Sequence, residues 1–211
     1  MVLAAKNHNP TVLNPDFLRF NEIVPKEWEL ETPPLCLEPV AQVAYQNGVT
    51  IIAQPQRVSF SQSITNEGKD LRIPAIATKY AAVLPHVNYT AVGINPTGHI
   101  DFGEDAEETR RFVMNKFLQQ AEWLNFGKGP ARASIKLTLP LDKWLFNISV
   151  EEGLVQMPGR KSSRVVVFAG NFHADVRGES ANERVKVLQQ YLSDWKPLLE
   201  TMTKFVKLIE Q

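Results

Sequence analysis

The sequence predicts an α+β fold, with mostly antiparallel sheet covered by long helices. Three observations carry that expectation. Apolar and polar residues alternate in several short runs, the mark of half-buried antiparallel strands. An Asn47-Gly48 pair separates two such runs, as a tight hairpin requires. Two later stretches switch to helical spacing and open on capping boxes. The 211 residues are 44% hydrophobic and 22% charged, an ordinary globular balance. A chain of this length buries roughly 70% of its unfolded surface and needs no disulfide or metal staple.

Residues 1–39 read as a proline-rich packing arm. They hold six of the 14 prolines (Pro10, Pro15, Pro25, Pro33, Pro34 and Pro39) and no glycine. Proline fixes φ and removes an amide donor, so the arm is expected to form neither a long helix nor a central strand. Phe17, Leu18, Phe20, Ile23, Val24, Trp28 and Leu30 are too many apolar groups for a free tail. A short helix near residues 16–20 is expected, with extended chain packed on its own domain or on a neighbour.

Residues 40–211 read as one α+β domain. Residues 40–46 and 49–54 form the hairpin around Asn47-Gly48, a pair favoured where both turn residues need φ > 0. Pro55 implies an edge or a bulge. Strand alternation resumes over residues 57–61, with Val58 and Phe60 on one face. Apolar residues at 73, 76, 80, 83 and 84 predict a helix between Pro74 and Pro85, and residues 87–95 a strand. Asp105 with Glu108 opens a helix expected to reach Phe126, its inward stripe being Ala106, Thr109, Val113, Phe117, Ala121 and Leu124. Gly127 ends it.

Three strands follow. Ile135, Leu137 and Leu139 share a face, as do Trp144, Phe146, Ile148 and Val150. In residues 164–176 the shared face is Val166, Phe168, Phe172, Ala174 and Val176. Ser180 and Glu183 then cap the strongest helix, where Leu188, Leu192, Trp195, Leu199, Met202, Val206 and Ile209 recur at helical spacing. A second row of Tyr191, Leu198 and Phe205 widens the stripe beyond a coiled-coil seam. Pro197 requires a kink there, or two abutting helices. The order is therefore arm-β-β-β-α-β-α-β-β-β-α. Halves 40–103 and 104–211 suggest an old duplication that no sequence repeat supports.

The run Asn47-Gly48-Val49-Thr50-Ile51-Ile52-Ala53-Gln54-Pro55-Gln56-Arg57-Val58-Ser59-Phe60 is similar to a strand pair in small uncharacterised bacterial proteins. Phe172-His173-Ala174-Asp175-Val176, leading into the capped helix with Leu188 and Leu192, resembles their closing strand and helix. The likeness covers about the last three quarters of the chain. It implies a hypothetical-protein family without an assigned activity, and so no catalytic residues.

Composition narrows the function classes. Lys+Arg 23 cancels Asp+Glu 23, so no global field favours nucleic acid or anionic lipid. The compact basic groups, Arg160, Lys161 and Arg164 and then Arg110-Arg111, neutralise too few phosphates to hold nucleic acid at physiological salt. Met1–Lys6 lacks the charged start and 7–15 apolar residues of a secretory signal, and no window approaches the roughly 18 apolar residues of a membrane span. The single Cys36 suits a reducing compartment, and its Pro33-Pro34-Leu35-Cys36-Leu37 setting reads as buried and structural. The expected location is the cytoplasm. Gly127-Lys128-Gly129-Pro130 follows a helix and lacks phosphate-loop spacing, so a turn explains it. No nucleophile motif occurs.

Three histidines share one pattern: His86-Val87-Asn88, His99-Ile100-Asp101 and His173-Ala174-Asp175. On a strand, residues i and i+2 share a face, so each imidazole stands beside an amide or carboxylate. Asn171 joins the last row. The plain reading is hydrogen-bonded polar positions on the wet side of a sheet. The sharper readings are a ligand or metal row of His99, Asp101, Asn171, His173 and Asp175, or acid–base catalysis. No tight metal signature is present and no cofactor is implied. The leading expectation is a non-enzymatic interaction or assembly protein, acting as a homo-oligomer or with a protein partner. Phe17, Phe20 and Trp28 of the arm, with Tyr191, Leu198 and Phe205 of the last helix, are the interface candidates. The alternative is a small-molecule-binding or metal-assisted enzyme using the His-x-Asp pairs.

Overall fold

A computed structural model describes residues 1–64, 70–156 and 161–211. Among these residues ten strands, mostly antiparallel, and five α-helices make the fold α+β with antiparallel sheet. The chain divides into two compact units. Unit 1 is Met1–Ile94 with His173–Leu198, and unit 2 is Asn95–Phe172 with Leu199–Gln211.

In unit 1, β1 (Val2–Lys6) lies between β5 (Arg57–Gln62) and β6 (Asn88–Ile94), antiparallel to both. This corrects the expectation that the arm holds no central strand. Its prolines begin only at Pro10, and Val2–Lys6 keeps every amide that a two-sided ladder requires. The Met1 amino group donates to Phe60 O at 2.7 Å, and burial lowers its pKa to about 6. Beyond β5 come β4 (Val49–Gln54), β3 (Ala41–Ala44) and a two-residue edge strand, β2 (Leu35–Cys36). Cys36 is exposed on that edge, not buried as its apolar neighbours suggested.

Asn47-Gly48 does turn the chain, but only Gly48 takes positive φ, at 80°. Gly48 N–H donates to Tyr45 O and Tyr45 N–H to Val49 O, both at 2.9 Å. The loop is thus three residues ending in a left-handed glycine. Pro55 is neither an edge nor a bulge residue. It sits in the turn between the paired residues Gln54 and Arg57, where a missing amide costs the ladder nothing. Along β4 and β5, Val49, Ile51, Ala53, Val58 and Phe60 are all buried. α2 (Ile73–Val83) packs on β5, and α1 (Pro15–Phe20) reaches α2 through Phe17; each helix has proline in its first turn. Tyr80 of α2 meets Phe17 and Phe60 edge-on, with centroids 6.1 and 5.5 Å away.

Unit 2 holds β7 (Thr97–Asp101), a strand the sequence order did not include. It pairs with β10 (Ser163–Asp175) over Val165–Ala169. β9 (Leu145–Val155) also neighbours β10, and β8 (Ile135–Pro140) lies antiparallel to β9. Asp105 caps α3 (Ala106–Phe117), accepting from the amides of Glu107 and Glu108. The helix ends at Leu118 and not at Phe126. Past Phe117 its stripe offers only Ala121 and Leu124 among Gln119, Gln120, Glu122 and Asn125, and helices persist where an apolar face is buried. A 3-10 turn, Glu122–Asn125, follows. The unit's core stacks Phe146 on Phe172, centroids 4.2 Å apart, beside buried Phe168.

The predicted Ser180–Glu183 capping box opens α4 (Ala181–Ser193), which packs on α2 and β6. α5 (Trp195–Glu210) abuts it after Asp194. Pro197 therefore falls in the first turn of α5, where it removes no helical bond. Among the described residues no helix is long and apolar enough to cross a membrane.

Candidate functional site

β10 alternates as its sequence predicts: Phe172, Ala174 and Val176 are buried, while Asn171 and His173 are only half-buried and Asp175 is exposed. His173 Nε2 lies 3.5 Å from Asp175 Oδ1 at side-chain exposures of 43% and 60%, and Arg177 approaches the other carboxylate oxygen at 3.4 Å. Exposed pairs of this kind contribute about 0–1 kcal/mol. Asn171 belongs to a different network. Its Oδ1 accepts from Asn147 Nδ2 at 3.5 Å, and Asn147 Oδ1 accepts from the Thr138 hydroxyl at 2.8 Å.

His99 and Asp101 are both exposed on β7, and Asp101 Oδ1 accepts from Gly103 N–H at 2.8 Å. That pair belongs to unit 2, whereas His173 and Asp175 belong to unit 1. His99 lines a cavity of about 260 Å³ with Phe168, Met202, Val206, Lys207 and Glu210. Among the described residues, no three His, Cys, Asp or Glu side chains are grouped to hold a metal ion.

Most of the interface candidates pack on their own chain. Trp28 is buried against Tyr45, centroids 5.2 Å apart, with the Arg72 guanidinium 5.3 Å from its ring centroid. Phe17 is half-buried on Tyr80. Leu198 is buried, Tyr191 is half-buried, and half-buried Phe205 meets Phe146 edge-on at 5.7 Å. Phe20 stands open at 88% exposure. Two further aromatic residues, Phe126 at 96% and Trp123 at 62%, project from the 3-10 turn of unit 2. The helical stripe drawn through this segment hides them, because it takes Leu124 as the inward residue and ends only at Gly127. Of the basic group, Arg160 lies outside the described residues, and Lys161 pairs with Glu104 at 2.8 Å.

One cavity in unit 1 gathers imidazoles that the sequence pattern did not join. It forms where β1 leaves the sheet and measures about 270 Å³. Lys6, Asn7, His8 and Asn9 line it from one stretch, and Leu84, His86, Val87 and Asn88 from another. Lys6 stands directly across from Asn88 in the β1–β6 ladder. Asn7 then takes a left-handed φ of 59°, a conformation asparagine tolerates better than most residues. The turn delivers His8 into the interior, 3% exposed, where Nε2 lies 2.8 Å from Tyr80 Oη. His8 Nδ1 is buried without a well-aligned hydrogen bond among the described residues.

Burial lowers the His8 pKa. The Gln54 main chain beside the ring partly offsets this, and His86 lowers it further. Burial also raises the Tyr80 hydroxyl, so that group stays protonated. The His86-x-Asn88 row supplied half of this site in the sequence. His8 carries no periodic signal, since it sits in a proline-flanked loop.

No family model matches the chain, and no curated protein and no solved structure is similar to it.

Proposed function

We propose that the chain is a non-enzymatic, cytoplasmic interaction or assembly protein that self-associates through the aromatic turn of unit 2. The carrying observation is the exposure of Phe126 at 96% and Trp123 at 62% on one short turn. Single exposed apolar residues are ordinary on a surface, but two large aromatic groups three residues apart form a compact anchor. Covering each side chain releases roughly 1.5–3 kcal/mol before association costs.

A second copy is the occupant this reading commits to. The formal net charge is +0, so copies meet without net repulsion. The edge strand β8 carries Lys136 and Pro140, groups that discourage strand-to-strand addition. Contact through side chains of the turn therefore suits the molecule better than sheet extension. The enzyme alternative has less support, because Asp101 is held by its own turn and Asp175 is shared with Arg177.

Sedimentation velocity over a rising concentration series tests the proposal. The parent is expected to pass from monomer to dimer. Trp123→Ser with Phe126→Ser is expected to stay monomeric while unfolding within about 0.5 kcal/mol of the parent, as surface changes do. A parent that remains monomeric to high micromolar concentration overturns the reading.

A further inference from the structure

We propose that the cavity beside His8 and His86 binds a small organic anion: one carboxylate or phosphate group on a short apolar body. The chemistry of the lining selects the class. Lys6 supplies a fixed positive charge at the rim, and among the described residues no Asp or Glu lines the cavity. The exposed His86 and Asn88 stand beside it with further N–H donors. Such a ring of donors without a carboxylate accepts an anion and rejects a cation.

The depth of the cavity sets the rest of the ligand. Leu84 and Val87, 7% and 9% exposed, give it an apolar base, and half-buried Val12 closes one side. A volume of about 270 Å³ lies at or below the lower end of the usual range for small-molecule sites, which excludes a nucleotide-sized ligand. His8 gives a second, independent indication. Its ring is 3% exposed and anchored through Nε2 to Tyr80, and Nδ1 is buried near the Gln54 main chain with no well-aligned hydrogen bond among the described residues. A buried polar atom left so is costly unless something completes it. Asn7, left-handed at 59°, holds the adjacent backbone in the form that presents this ring. The site is independent of the aromatic turn in unit 2, so either proposal can fail alone.

The test is an NMR titration of histidine-labelled protein with acetate, propionate, butyrate and inorganic phosphate at constant ionic strength. Saturable shifts are expected at the His8 and His86 rings. Affinity is expected to rise roughly fourfold for each methylene buried, until the cavity is filled. Lys6→Gln and His86→Ala change exposed side chains and are expected to keep the parent's melting temperature while weakening butyrate at least fivefold. Three results overturn the proposal: no saturable shift with any anion, binding of phosphate with no preference among the carboxylates, or variants that titrate as the parent does.

Discussion

The fully buried aromatic side chains of unit 1 include Tyr45, Tyr80 and Tyr89, which carry hydroxyls into the core, whereas Phe146, Phe168 and Phe172 of unit 2 are hydrocarbon throughout. Unit 1 also encloses His8, one of two buried polar or charged residues among those described, the other being Thr109 of unit 2. Unit 2 instead leaves Trp123 and Phe126 in solvent. Polar atoms held inside are expensive unless satisfied, and large apolar groups held outside forgo burial. Each unit thus departs from the simplest core: unit 1 keeps a polar cavity and exposes Phe20, whereas unit 2 gathers two exposed aromatic side chains on one turn.

The largest effect that sharpens this contrast comes from Phe60. It is 1% exposed on β5 and packs against Tyr80. Phe60→Ala is expected to cost about 3–5 kcal/mol by urea unfolding, because it removes buried surface and leaves a cavity. Phe126→Ala, the same chemical change in unit 2, is expected to cost no more than about 0.5 kcal/mol. Equal costs would show that Phe126 is covered within its own chain, and the contrast would break.

A smaller effect of opposite sign is expected at Tyr89. Its ring is fully buried on β6, its hydroxyl makes no hydrogen bond among the described residues, and burial raises its pKa. Tyr89→Phe deletes the unpaired group and keeps the ring, so a gain of about 1 kcal/mol in unfolding free energy is expected. A loss of similar size would mean that the hydroxyl is satisfied, and unit 1 would then carry one less polar burden than the comparison assigns to it.

The strands that the sequence revealed are those whose alternation is repeated over several residues, such as Val49–Gln54 and Ile135–Pro140. β1 escaped because Val2-Leu3-Ala4-Ala5 is apolar throughout, with no polar positions to set a period, and because the prolines after it coloured the whole arm. α3 was overextended for a related reason. Periodicity continues through Ala121 and Leu124, but an alanine and one leucine offer little face to bury. The candidate cavity was half legible. His86 and Asn88 share a strand-spaced pattern, whereas Lys6 and His8 join them only through the β1–β6 pairing, and pairing partners 82 residues apart, such as Lys6 and Asn88, leave no local trace. The exposed His173–Asp175 pair shows the converse, since adjacency on a strand face says nothing about depth.

The smallest effect bears on the buried imidazole itself. Burial is the main cause of the lowered His8 pKa, while an unfolded histidine titrates near 6.5. Between those two values the unfolded chain binds a proton and the folded chain does not. Stability therefore falls as pH falls through that window, and His8 adds no pH dependence above it. The Met1 amino group acts with the same sign at higher pH. Its pKa drops from 8.0 to about 6 on folding, so stability rises between those values by up to about 2–3 kcal/mol. Urea unfolding at pH 5, 6.5 and 8 separates the two groups. His8→Gln keeps an acceptor for Tyr80 and cannot titrate, so its stability is expected to flatten below pH 6 while the rise towards pH 8 persists. If the variant keeps the parent's full acid slope, His8 is solvated in the folded chain, and the polar interior that distinguishes unit 1 is open to water.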